Sequence, residues 1–115
     1  METKFHRAGA VPVTIVEPRG DLTPDLSRRC WQAARRTVRC GRQVVISLRG
    51  VARTSWAGLC ELAHHLEDDT TTGRDVQFAG VEPRMRALMR EVGVGTGWII
   101  DEGRIEPEER IVISA

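Results

Sequence analysis

The chain reads as one α/β domain, and three features carry that reading. Short β-branched runs, VPVTIV at 11–16, QVVISL at 43–48 and DVQFA at 75–79, alternate with longer stretches of helical periodicity. A strand followed by a helix and another strand is the unit from which parallel sheets are built, because each parallel pair needs a crossover. At 115 residues the chain has room for a single core, and no internal repeat, low-complexity segment or linker divides it.

Taken in order, residues 2–7 offer an edge strand, and 11–16 form the first clear strand, with Pro12 placing it near a strand start or a sheet edge. The sequence PRGD at 18–21 is a turn and is expected to stop that strand. Thr23 followed by Pro24 supplies an N-cap with proline at the first helical position, so a helix is expected over 24–39, ended by Gly41. Its apolar stripe is Leu26, Cys30, Ala33 and Thr37 with Ala34 at the edge; Arg28, Arg29, Arg35, Arg36 and Arg39 share the wet side. The run 43–48 is continuously apolar, as in a strand buried on both faces.

A second helix starts near Ser55 or Trp56, with Leu59, Leu62, Ala63 and Leu66 at helical spacing, and ends in the polar loop EDDTTTG at 67–73. Strand 75–79 follows. Glu82 and Pro83 open a third helix with core residues Met85, Leu88, Met89 and Val92, and Gly93 closes it. GWIID at 97–101 reads as a last short strand. For the tail, 102–115, EPEERIV favours a terminal helix over the strand that RIVIS would make.

Charge and composition exclude several function classes. The 17 basic and 16 acidic residues leave a net charge of +1, which argues against an electrostatically driven nucleic-acid or membrane binder. No apolar run reaches membrane-spanning length and no signal-peptide core follows METKFHR, so a cytoplasmic protein without membrane insertion is expected. Cys30, Cys40 and Cys60 form no CxxC pair and are expected as free thiols.

The local motifs are weak as chemistry. GVGTG at 93–97 follows a helix and precedes a strand, the reverse of a phosphate cradle, and reads as a cap and turn. Cys60 and His64 share a helix face, but no second pair completes a metal shell, so neither metal nor cofactor is expected. Cysteine, histidine and aspartate occur without a signature that joins them, so no catalytic residue is expected. Six arginines between 28 and 42 could hold an acidic partner, but only Trp31 is interleaved, and a solvated face is the simpler reading.

With this order of elements, four segments carry a resemblance: VTIVEPRGDL, QVVISLRGV, TSWAGL and GVEPRMRALMREVGV. The chain resembles the STAS domain, the module of bacterial anti-sigma factor antagonists, over about 11–101. The resemblance implies a mixed β-sheet of four to five strands with three to four helices, and a non-enzymatic role in signalling and transcription regulation. Its usual partner is an anti-sigma factor or related switch protein, a kinase-like ATPase. The family junction usually has aspartate, a phosphorylatable serine or threonine, a small residue, glycine and leucine. Ala57, Gly58 and Leu59 match, Ser55 stands at the aspartate, and Trp56 replaces the hydroxyl residue.

Indole accepts no phosphoryl group, so only Ser55 and Thr54 remain as nearby hydroxyls for phosphorylation, and Ser55 would serve equally as an N-cap. The resemblance makes this junction the docking surface, with Trp56 as anchor and Arg53, Thr54, Ser55, Ala57, Gly58 and Arg84 around it. The competing placement of Trp56 is folded back over the sheet edge. Other STAS proteins are cytoplasmic subunits of lipid or anion transport systems that brace an ATPase, an alternative the Ala57-Gly58-Leu59 run equally fits. Trp31, Trp98 or the tail, if exposed, could support a homodimer.

Overall fold

The computed structural model describes residues 12–101, 103 and 105–114. Strand β1 (Val13–Leu22) is followed by α1 (Pro24–Arg39), β2 (Gln43–Ser47), β3 (Val51–Thr54), α2 (Trp56–Asp68), α3 (Thr70–Gly73), β4 (Val76–Ala79), α4 (Pro83–Glu91) and β5 (Glu109–Ser114). The sheet order is β3-β1-β2-β4, with β5 also on β1, and every pairing among the described residues is parallel. Residues 14–16 of β1 pair with both β2 and β5, so β1 is central. The α/β class and the expected numbers of strands and helices hold; the edge strand suggested at 2–7 lies outside the described residues.

Strand alternation sorts the core into two layers. Val16, Val44, Ile46, Val76 and Phe78 face the helices and pack with Leu26, Cys30, Leu59, Leu62, Leu66, Met85 and Met89. Val13, Ile15, Val45 and Ala79 form a second buried layer, against which Ile100 and Ile105 pack. This is why 44–46 is apolar without a break: the strand is covered on both sides, and Gln43 and Ser47 at its ends are buried with it. Full burial of a side chain the size of Ile46 or Phe78 contributes about 2 kcal/mol each.

The helices follow their local signals. Thr23 caps α1, its hydroxyl accepting from the Leu26 N–H at 3.2 Å, and Gly41, at φ 85°, ends it in a conformation glycine adopts without strain. Pro83 opens α4, and Gly93, at φ 99°, follows its end.

Five expectations are corrected. PRGD does not stop β1: the strand runs on to Leu22, and the turn signal becomes a register shift between Gly20 and Leu22, with Gly20 at φ 105°. The polar loop is partly the one-turn helix α3, whose first turn Asp69 caps through Thr72. Residues 97–101 make no strand; Thr96–Trp98 form a 3-10 turn, and Ile99 makes a single bridge to Phe78. The tail is the strand β5 and not a helix, because Ile111 and Ile113 pack into the helix-side core while alternate residues face outward.

Trp31 is the fifth. It is 2 % exposed, its indole N–H donates to Asp69 Oδ2 at 3.3 Å, and its ring stacks on His65. Helix α1 packs on both the sheet and α2, so its buried arc is wider than one stripe. Trp98 is likewise half-buried against the core.

Candidate functional site

The junction between β3 and α2 is fastened to the end of β1 by Ser55 and Gly58, and to α1 by Ser27. Ser55 adopts the extended conformation of an N-cap. Its hydroxyl accepts from the Gly58 N–H at 2.9 Å and donates to the Leu22 carbonyl at 2.9 Å. The buried Ser27 hydroxyl donates to the Gly58 carbonyl at 2.7 Å, tying α2 to α1. At Gly58 the backbones approach so closely that a Cβ would fall 2.0 Å from the Leu22 oxygen. The glycine of TSWAGL is therefore demanded by packing.

Trp56, the first residue of α2, is 51 % exposed, which places its ring outside the core. With Ala57 it borders a shallow concavity completed by Pro24, Cys60, Glu61 and His64. Arg53, Thr54 and Arg84 line a different depression, a groove of about 550 Å³ between β3 and α4 with Leu48, Val51, Met85 and Leu88 as its apolar lining. The residues expected around one anchor are thus divided: Trp56 and Ala57 on one side of the junction, Arg53, Thr54 and Arg84 on the other. Ser55 and Gly58 are spent on fastening the helix between them.

Sequence reasoning passed over Glu17, which gathers three arginines, one of them in the lining of the groove. Its carboxylate is 4 % exposed and meets Arg19 at 2.9 Å, Arg110 at 2.5 Å and Arg49 at 3.8 Å. Burial pushes its pKa up, but the hydrogen bond from Arg19 and the charge of Arg110 outweigh it and hold the carboxyl below its ordinary value. One signal was legible: an acidic residue closing the apolar run VTIV has to be paired if the run is buried.

The other polar clusters are local. His65 bonds Glu61 at 2.7 Å and His64 pairs with Asp68 at 3.0 Å, each along α2. Among the described residues no group of three or more histidine, cysteine or acidic side chains is placed to hold a metal ion. Cys30 is buried beneath α1, and that burial pushes its thiol up to about 12. Among the described residues no helix is long and apolar enough to cross a membrane.

A parallel sheet covered by helices presents a glycine-fastened helix start beside an exposed aromatic. The family model described as "Mlab, STAS domain" matches residues 7–101, and the chain belongs to the STAS domain family. STAS domains are in general non-enzymatic interaction modules. Comparison with curated proteins and with solved structures gives no match.

Proposed function

We propose that this STAS domain is a protein-interaction module, an anti-sigma factor antagonist-like regulator that docks a kinase-like ATPase through the start of α2 and lacks the phosphorylation switch at the usual position. The observation that carries this reading is Trp56: a half-exposed indole at the first residue of α2, where relatives keep a hydroxyl. Partly exposed tryptophans are among the commonest interface anchors, because a large rigid surface is desolvated at little entropic cost. Ser55 supports the unswitched version. Its hydroxyl already holds the α2 cap and the Leu22 carbonyl, and a phosphoryl group there would remove the donor and open the junction.

The test mixes the protein with candidate anti-sigma kinases and ATP. A stable complex that Trp56→Ala disrupts and that survives ATP is the expected result. Stoichiometric phosphate on Ser55 or Thr54 that breaks the complex would overturn the unswitched version. Binding to a transport ATPase in place of the kinases would assign the same surface to the transport alternative.

A further inference from the structure

We infer that the groove between β3 and α4 receives an acidic segment of the protein partner, one that carries an apolar side chain beside its carboxylate. This rests on the reading of the junction as a docking surface and adds the partner's chemistry. The floor is apolar: Leu48 and Met85 are buried, and Val51 and Leu88 are half-buried. The rim is basic, with Arg49, Arg53 and Arg84 against Glu82. Arg49 is already drawn towards Glu17 at 3.8 Å, but Arg53 and Arg84 are exposed and make no ion pair among the described residues. Two guanidinium groups over an apolar trough suit a carboxylate flanked by a hydrophobic side chain, because arginine matches a carboxylate's two oxygens and the trough desolvates the neighbour.

A small phosphate-like anion fits less well. Such ligands favour several backbone N–H groups converging at a helix start, whereas α4 opens on Pro83, which has no N–H, behind the negative Glu82. The groove is also open, with Ala52, Arg53 and Arg84 at the surface, while small-molecule sites enclose most of their ligand. Finally, Thr54 in the groove and Trp56 on the other side of the junction are separated in the chain only by the exposed Ser55, so a partner seated on the indole has the groove close by. The contact becomes two-part: an aromatic anchor and an acidic strand laid alongside it.

The test uses the full chain, labelled with nitrogen-15, and three probes at low salt: a short capped peptide alternating leucine with aspartate and glutamate, its asparagine and glutamine counterpart, and inorganic phosphate. The acidic peptide is expected to shift the amides of 52–54 and 81–88 and to bind at least about fivefold more tightly than the neutral one. Arg53→Gln with Arg84→Gln should weaken it by a similar factor and flatten its salt dependence. Absence of shifts in those amides, equal binding of the neutral peptide, or the same shifts from phosphate at lower concentration would each overturn the inference. Failure of the groove is thus separable from failure of the indole contact, which the ATPase-binding experiment reads on its own.

Discussion

The Leu22 carbonyl oxygen lies 2.0 Å from where a Cβ on Gly58 would stand, well inside van der Waals contact. Helix α2 can therefore meet the end of β1 only through a residue without a side chain. Gly58→Ala must push the helix away from Leu22 and disturb two hydrogen bonds, the one Ser55 donates to the Leu22 carbonyl and the one Ser27 donates to the Gly58 carbonyl. The expected loss is about 3 kcal/mol, the upper end for an overpacked site, read as a fall of more than about 10 °C in the melting temperature. An unchanged melting temperature would mean that the junction yields freely.

Trp56→Ala should behave in the opposite way. With half of its surface in water and alanine a good residue at a helix start, stability should change by no more than about 0.5 kcal/mol. Partner binding should fall by a factor of about 30 or more, as for a central anchor. Calorimetric melting and titration of the same preparation separate the two effects. A large stability loss would show the ring to be a packing residue.

Glu17 makes stability depend on acid. Its carboxyl is held below its ordinary value of 4.5, so the stabilisation it gives is complete above that value and is lost as pH falls through the lower, folded-state value. Glu17→Gln should cost about 2 kcal/mol at neutral pH, in the range for hydrogen bonds to charged groups, since the exposed parts of its arginine partners can turn to water. Denaturant melts of both proteins from pH 7 downwards should converge at strongly acid pH. Parallel curves would assign the acid sensitivity to other carboxylates.

The thiols should separate by burial. Cys40 is exposed, Cys60 half-buried and Cys30 buried with its thiol raised to about 12. Alkylation followed by mass spectrometry should modify Cys40 first, Cys60 more slowly and Cys30 only on unfolding. Because the folded-state value of Cys30 is raised, its contribution is intact below the ordinary 9.0 and declines as pH rises from there towards 12. Early labelling of Cys30 under native conditions would contradict the packing of α1.

Local chemistry was enough to find α1, α2 and α4: the Thr23-Pro24 and Pro83 starts, the Leu59 to Leu66 spacing and the closing glycines act within a few residues. The doubly buried β2 was legible for the same reason, since an unbroken apolar run leaves no wet face. The start of α2 was also readable, since Ser55 is the N-cap its residue type suggested, whereas the packing that requires glycine at 58 appeared only in the structure.

Long-range pairing settled the rest. PRGD has turn residues, but parallel partners in β3 and β5 keep the chain extended through it and reduce the turn to a shift at Gly20. RIVIS has little reason to be a strand until β1 offers it an edge, and Trp31 has no reason to be buried until α2 and Asp69 arrive beside it. The division of the candidate site follows the same rule: Arg53 and Trp56 are three residues apart, yet the change from strand to helix turns one towards α4 and the other towards Pro24. Helix caps and periodicity are contacts between neighbours in the chain and are written locally. Strand partners, buried charges such as Glu17, and the two faces of the junction depend on residues many positions away, which only the folded arrangement brings together.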